Sequence, residues 1–305
     1  MSDRKFFIPL IYFLICFFWG SSWYVIKLSL EYVTPLINLG IRFLISALAI
    51  YLVMIYTKTR LELSPVSVKL YLILGFFSYT IPFSLVYWAE KTIPSSLASI
   101  LFAIHPFFVA ILSSIFIKEE FLSMPRIVGV ILSFIGIVFI FKDGLKIELS
   151  HYLPGMIAVI TSALMQASIA VTIKKKGGHL NPLSMNFIPT LIAGIFLVIF
   201  GFFTENFNSN KFSIEAILMI VYLAVFVTVF NFTAYYYLLK RMSVVILSLT
   251  SFITPLIATF IGVIIGGEKL SKNISSGAFF VLTGILIANW EGLKKFYHQK
   301  KVSSL

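Results

Sequence analysis

The chain has 305 residues, of which 59% are hydrophobic and 12% charged, whereas an ordinary soluble domain has roughly 25% charged residues. A soluble fold of this length could not bury so much apolar surface, so the composition excludes a soluble globular protein. The net charge of +12 falls in short gaps between apolar runs, which argues against a nucleic-acid-binding surface and for topology-setting loop charge. A single cysteine, Cys16, excludes an intramolecular disulfide.

Ten charge-poor runs are long enough, or nearly so, to cross the hydrocarbon core, which takes about 20 helical residues. In chain order we predict membrane spans at 8–28, 36–57, 70–89, 94–117, 127–141, 153–173, 183–203, 216–239, 244–266 and 274–290. The first span is longer than the apolar core of a signal peptide, so we predict that it is retained. The gaps contain Pro, Gly and Asn and are too short for a soluble domain. The sequence therefore predicts an all-α integral membrane protein with ten transmembrane helices.

The distribution of Lys and Arg predicts the orientation. With the N-terminus in the cytoplasm, sixteen of these residues lie in inner segments and six in outer ones, as the positive-inside rule requires. An even number of helices also places the two basic termini on one side. We predict a multi-pass protein of the cytoplasmic (inner) cell membrane with both termini cytoplasmic and a basic cytoplasmic tail at 293–305.

The second half of the chain repeats the first at a shift of 149 residues, which aligns 87–119 with 236–268. Seven of these 33 positions are identical, and two of the matches involve residue types that are scarce here. Those two matches pair Pro106 with Pro255 and Glu119 with Glu268. Such internal similarity is typical of transporters built from two structural repeats.

The matched segments lie five helices apart. Because five is odd, the two halves should cross the membrane in opposite senses, with Glu119 ending the fourth helix inside and Glu268 ending the ninth outside. We predict two inverted five-helix repeats at 1–143 and 150–292. Two such halves can open a central cavity alternately to either face by exchanging conformations.

Several motifs occur in the same order as in a known family. They are Trp19-Gly20-Ser21-Ser22 in the first helix, Pro35, Asn38 and Arg42-Phe43 entering the second, and Thr254-Pro255-Leu256 and Gly266-Gly267-Glu268 in the ninth. In this order the chain resembles the drug/metabolite transporter superfamily, in its ten-helix EamA-type branch, over nearly its whole length. The resemblance implies two inverted bundles, no organic cofactor, and transport of amino acids or related metabolites, often outward. His105 and Pro189 depart from the family pattern.

Polar and amphipathic side chains inside the spans are candidates to bind the transported molecule, because polar groups in lipid need partners and tend to face the bundle interior. The candidates are Trp19, Arg42, Tyr79, His105, Gln166, Asn231 and Tyr235. Trp23 and Trp88 fit an interfacial aromatic belt better than a cavity.

Two of these candidates have competing interpretations. Arg42, about two turns into its span, could anchor a substrate carboxylate, or it could bond backbone carbonyls near the outer interface and lock helix packing, which its depth favours. His105 could take up a proton during transport, or it could be a hydrogen-bonded packing residue. Pro106 and Pro255 would break equivalent helices and act as hinges, or simply kink them.

No Asp or Glu falls in the middle of a span, and no phosphate-binding loop is present. A cation pump would ordinarily need an intramembrane carboxylate, so neutral, zwitterionic or anionic cargo is favoured. We predict a secondary transporter, an exporter by the family resemblance, that is not an enzyme, works by alternating access among membrane lipids, and has protons as a candidate coupling ion. No cofactor, metal or nucleic-acid partner is predicted. The alternatives are a membrane-embedded lipid-modifying enzyme and a lipid or solute facilitator without ion coupling.

Overall fold

The computed structural model describes residues 3–93, 95–117, 123–141, 149–206, 212–266, 272–288 and 290, and within these residues the regular structure is entirely helical. The helices are α1 (Asp3–Ser29), α2 (Pro35–Tyr56), α3 (Pro65–Ala89), α4 (Ser95–Phe102 and His105–Phe116), α5 (Met124–Phe141), α6 (Leu149–Lys176), α7 (Ser184–Thr204), α8 (Ile214–Leu239), α9 (Val244–Ser248 and Thr250–Gly266) and α10 (Lys272–Ala288). Each predicted span corresponds to one helix, which confirms the predicted ten-helix fold. Glu119, Glu268 and the tail at 293–305 lie outside the described residues.

The surface of the bundle is suited to lipid. Six helices (α1, α2, α3, α6, α7 and α8) are each long and apolar enough to cross a membrane, and α4, α5, α9 and α10 contain shorter apolar helices. Large hydrophobic side chains point outward, among them Phe203 at 82% exposed and Phe279 at 67% exposed. Exposure of this kind is unfavourable in water and costs nothing in hydrocarbon.

Equivalent helices of the two halves pack antiparallel. Along the α2–α7 seam Gly40 meets Val198 and Gly194 meets Leu44, and along the α5–α10 seam Gly136 meets Gly277. Both helices of each pair approach so closely that a Cβ at the glycine would overlap its neighbour, as is common where small residues let transmembrane helices touch. This antiparallel pairing is the arrangement that inverted repeats produce.

The remaining helices form two groups. In the α1 group, α1 packs mainly against α8 and α9; in the α6 group, α6 packs mainly against α3 and α4. The groups are equivalent, because each helix of one corresponds to a helix five positions away in the other. Within the α1 group α1 and α8 run antiparallel, since Ser21 bonds Tyr222 near one end and Phe7 contacts Tyr237 near the other.

The third helix of each half contains a π-helical segment, Gly75–Thr80 in α3 and Leu223–Phe230 in α8. In both segments a threonine hydroxyl donates to the carbonyl five residues earlier: Thr80 to Gly75 at 2.8 Å and Thr228 to Leu223 at 3.1 Å. Segments of this kind widen a helix locally and are frequent at functional sites. Here both lie beside the space between the two helix groups.

Candidate functional site

A cavity of about 120 Å³ lies between the α1 group and the α6 group. Its walls come from α1, α8 and α9 on one side and from α3, α4 and α6 on the other. Among the residues that the structure describes, none from α2, α5, α7 or α10 lines it. The first, third and fourth helices of each half therefore enclose the space, and the second and fifth helices hold the halves together outside it.

The walls are aromatic and apolar with scattered uncharged polar groups. The polar lining residues are Ser22, Ser78, His105, Ser162, Gln166, Thr250, Ser251 and Thr254. Within the part of the chain that the structure describes, the lining contains no Asp, Glu, Lys or Arg. Such a surface can stack against apolar or aromatic parts of a ligand and hydrogen-bond a few of its polar atoms.

Helix α1 presents two tryptophans to the cavity. Trp19 packs against Phe232 at 5.6 Å and Tyr235 at 5.5 Å between ring centroids. Trp23 is 8% exposed and lines the same wall. The predicted placement of Trp23 in an interfacial belt was wrong, because a residue four positions after Trp19 lies on the same helix face. Trp88, 48% exposed, faces outward as expected for a belt residue.

His105 is buried in the cavity wall, where the second piece of α4 begins. Its Nδ1 lies 3.3 Å from Oγ of Ser251 in α9, and its ring stacks on Phe102 at 5.6 Å and 10°. The imidazole therefore joins the two interrupted helices across the cavity. Thr254, which stands 149 residues after His105, lines the cavity from the equivalent position in α9.

The interruptions in α4 and α9 relate differently to their prolines. The first piece of α4 ends at Phe102, whose carbonyl Pro106 cannot bond because it has no N–H. In α9 the interruption falls at Leu249, six residues before Pro255, which lies inside the second piece. There the hydroxyl of Thr254 donates at 3.4 Å to the carbonyl of Ser251, the group that Pro255 leaves without its usual helical partner.

Gln166 of α6 lines the cavity and pairs with one residue of α3. Its Nε2 donates to the Ser78 carbonyl at 3.0 Å, and its Oε1 accepts from the Ser78 hydroxyl at 3.0 Å. The carbonyl of Ser78 lacks its ordinary helical donor because the residue four positions later is Pro82. Gln166 thus satisfies a backbone group that a proline leaves free, beside the π segment of α3.

Arg42 lies behind the wall and does not line the cavity. It is fully buried, and it donates to the Thr228 hydroxyl at 2.9 Å and to the Tyr87 hydroxyl at 3.0 Å. Its guanidinium lies 5.3 Å from the ring centre of Phe83, a cavity residue. The expected bonds from Arg42 to backbone carbonyls near the interface are absent among the described residues, because two side-chain hydroxyls reach it from α3 and α8.

Tyr79 and Asn231 also lie behind the wall. The Tyr79 hydroxyl donates to Oδ1 of Asn186 at 3.0 Å and lies 3.4 Å from the hydroxyl of Tyr236. Asn231 donates from Nδ2 to the Ile15 carbonyl at 3.1 Å, which joins α8 to α1. Both residues are fully buried. Trp19, His105, Gln166 and Tyr235 are therefore the sequence candidates that reach the cavity.

Sequence reasoning missed several lining residues, of which Tyr236 and Ser251 are examples. Tyr236 could have been found, since the 149-residue shift pairs it with Tyr87 and each tyrosine hydroxyl contacts a polar residue of the core. Ser251 has no such signal, because serines in membrane helices often bond their own backbone.

The comparisons with known proteins agree with this architecture. The chain matches the EamA-like transporter family over residues 7–142 and again over 153–290. An uncharacterized transporter of Buchnera aphidicola subsp. Schizaphis graminum is 32% identical, over 96% of this chain and 99% of its own length. The PagO protein of Salmonella typhimurium is 29% identical over 88% of each chain.

More distant similarity extends to other bacteria and to a solved structure. The uncharacterized transporter YoaV of Bacillus subtilis is 24% identical over 88% of this chain and 92% of its own length. A protein of known crystal structure has the same fold, with a TM-score of 0.80 over 94% of this chain and 98% of its own, at 18% identity. Because the family matches cover both halves and nearly the full length, this chain is a membrane protein that belongs to the EamA-like transporter family.

Proposed function

We propose that this protein is a secondary transporter that moves amino acids or related small metabolites across the cytoplasmic membrane by alternating access. The observation that best supports this function is the cavity enclosed by the same three helices of each half. Equivalent walls from two antiparallel halves can exchange conformations, so that the space opens first to one face and then to the other. The interrupted helices α4 and α9 provide places where the walls can bend.

The lining supports neutral or zwitterionic cargo. Trp19, Phe232 and Tyr235 offer aromatic faces, and His105 offers a ring nitrogen for hydrogen bonding. Behind the wall, the buried Arg42 bonds hydroxyls and no carboxylate among the described residues. Its uncompensated positive charge in a medium of low dielectric disfavours a cationic cargo and tolerates an anionic one.

We assign different roles to the predicted site residues. Trp19, His105, Gln166 and Tyr235 contact cargo, whereas Arg42, Tyr79 and Asn231 hold the wall in place. The proposal also places both termini in the cytoplasm, on the Lys and Arg bias of the sequence. Transport is outward, as the family resemblance implies. The driving force is either the gradient of the cargo itself or a proton gradient, which the position of His105 in the wall would suit.

The test is counterflow in proteoliposomes loaded with one unlabelled amino acid at a time and supplied with its labelled form outside. We expect saturable accumulation of at least one aliphatic or aromatic amino acid, and a loss of at least tenfold in the Trp19→Ala variant. Trp88→Ala, which changes an outward-facing tryptophan, should retain wild-type counterflow. Turnover of a lipid without accumulation of any solute would support the enzyme alternative and overturn the proposal.

A further inference from the structure

Glu90 has a buried carboxyl group and is not among the residues that line the cavity. It follows Ala89, the last residue of α3, just beyond the spanning segment. The residue is 0% exposed, and among the described residues neither carboxyl oxygen accepts a hydrogen bond. It stands one helical turn beyond Val86, which lines the cavity. A potentially charged group therefore lies buried, without a hydrogen bond to its carboxyl oxygens, one turn from the cavity, at what we name the Glu90 end of the bundle.

A lysine bridges the two helix groups at this end. Lys27, in the last turn of α1, donates from Nζ to the main-chain carbonyl of Glu90. A cation at the C-terminus of a helix is favourable, because it satisfies orphan carbonyls and complements the helix dipole. Since α1 and α3 belong to different groups, this bond holds the Glu90 end shut.

The opposite end has an equivalent bridge. Lys174, in the last turn of α6, donates from Nζ to the carbonyls of Leu239 and Met242 at 2.7 and 2.6 Å. Leu239 stands 149 residues after Glu90, so the same backbone position accepts the lysine in both halves. Each end of the cavity thus has a lysine that links the C-terminus of the first helix of a half to that of the third.

The two bridges differ at one side chain. At the Glu90 end the residue that accepts the lysine has a carboxyl group, whereas at the other end it is a leucine. The fold requires only the carbonyl at this position, as Leu239 demonstrates. The carboxyl of Glu90 is therefore an addition to one end, and burying it has an energetic cost that Leu239 does not incur.

The surroundings of Glu90 leave its charge poorly compensated. The charged and titratable groups around it are Lys27 from α1, Tyr87 one turn earlier in α3, and Arg42 from α2, which donates to the Tyr87 hydroxyl. Helix α6 contributes Tyr152 to the apolar cluster at this end. Burial raises the pKa of the Glu90 carboxyl well above its ordinary value, and the Lys27 ammonium and the nearby Ser95 hydroxyl offset part of that rise.

We propose that Glu90 is a proton-binding site that controls this end of the cavity, because its neutral form is compatible with closure and its ionised form requires the water that opening admits. The inference rests on the proposed function, since it gives one half of an alternating-access cycle a dependence on protons. A glutamate carboxyl in water has a pKa of about 4.3. The closed end binds the proton more tightly, so closure is favoured at low pH and loses that advantage as the pH rises through the raised pKa of Glu90.

The test measures opening directly and needs no knowledge of the cargo. Nitroxide labels are placed at Lys91→Cys, beyond α3, and at Ile214→Cys, at the start of α8, in a Cys16→Ala background. Both positions are exposed at the Glu90 end and report on different helix groups. Pulsed electron–electron double resonance in lipid nanodiscs then gives the distance between the two labels at each pH from 5 to 9.

We expect a single short distance at low pH and a growing longer component as the pH rises. Glu90→Gln, which cannot ionise, should keep the short distance throughout. Glu31→Gln, which changes an exposed carboxylate at the same end, should behave as wild type. Glu90→Asp should still respond but with a shifted midpoint, which keeps the test decisive even if the glutamine variant does not fold.

An identical pH response in the wild type and Glu90→Gln, an unchanged midpoint in Glu90→Asp, or no response in the wild type would overturn the inference. Failure of the proposed function is a separate result. If no amino acid shows counterflow while the label distance still depends on pH through Glu90, the result supports the proton-binding site and contradicts the proposed cargo.

Discussion

At the scale of single residues, the pairing of Gln166 with Ser78 shows why a polar side chain in a membrane helix need not be a ligand. Gln166 uses both ends of its amide on one residue of α3, and the bond exists because Pro82 removes a backbone donor. Gln166 therefore has a structural role as well as a place in the wall. The consequences of these two roles can be separated by mutation.

We expect Gln166→Leu to lower the free energy of unfolding by about 1–3 kcal/mol, since the Ser78 carbonyl would be buried without a donor. Thermal unfolding of the detergent-solubilised protein measures the change. In a Pro82→Ala background the restored N–H can bond the Ser78 carbonyl, so Gln166→Leu should lower the free energy of unfolding by a smaller amount. Equal costs in both backgrounds would contradict the structural role.

His105 lends itself to a matched comparison with His179. We expect His105→Ala to reduce the pH dependence of counterflow without a loss of expression, since its imidazole is a proton-binding group in the cavity wall. His179 lies outside the cavity, 3.1 Å from the Ser67 hydroxyl, and His179→Ala should leave the pH profile unchanged. A wild-type profile in the His105 variant would leave that residue with a packing role alone.

The sequence predicted which residues are polar within spans but not their partners. Arg42 illustrates the reason: its two bonding partners lie 45 and 186 residues away in the chain, so its depth in α2 is uninformative about them. Trp19 was easier, because helix geometry places it on one face with Ser22 and Trp23. The sequence predicts which helix a residue belongs to, but it does not predict which other helix that residue contacts.

At the scale of elements, the lipid environment explains why the spans could be predicted. Each crossing demands a long apolar run whose backbone bonds itself. The errors fall at the ends of helices. The third span was predicted to start at 70 because of Lys69, whereas α3 begins at Pro65 after the Ser64 cap. The sixth was predicted to stop at 173, whereas α6 continues to Lys176, because Lys174 bonds the carbonyls at the end of α8.

Interruptions and π segments could not be predicted in the same way. The hydrophobic pattern of α8 runs through Leu223–Phe230 without a proline to mark the π segment. In α9 the helix breaks at Leu249, six residues before Pro255. These features depend on bonds to other helices, so a pattern within one helix does not reveal them.

The glycine contacts between equivalent helices give a sharp element-scale prediction. A Cβ at Gly136 would lie 2.6 Å from the Gly277 carbonyl oxygen, so Gly136→Val should force α5 and α10 apart and cost about 1–3 kcal/mol or more. The yield of monodisperse protein and its melting temperature measure the effect. Gly178→Val is the control, because nothing lies within 4 Å of a Cβ there; similar losses in both variants would argue against a tight seam.

At the scale of the whole molecule, the two halves make equivalent contacts through α2–α7 and α5–α10 and through the two helix groups. The 149-residue shift predicted this correspondence from two scarce residue types. The cavity between the α1 group and the α6 group was predicted only in outline, since its volume and lining depend on how far the groups stand apart, and that distance is set by long-range packing.

Lys91 and Lys240 test the inversion of the halves. They are exposed and occupy equivalent positions at the ends of α3 and α8, so inverted halves place them on opposite sides of the membrane. In a Cys16→Ala background, Lys91→Cys should react with a membrane-impermeant maleimide added outside intact cells, and Lys240→Cys should react only after permeabilisation. Reaction of both, or neither, from outside would contradict the inverted arrangement.

The absence of α2, α5, α7 and α10 from the described cavity lining has an evolutionary consequence. On the proposed function, cargo preference resides on six helices, while the seams that hold the halves in register reside on the other four. Substitutions that alter what the cavity accepts can therefore accumulate without loosening those seams. A scaffold divided in this way can diversify its cargo many times over while its shape stays the same.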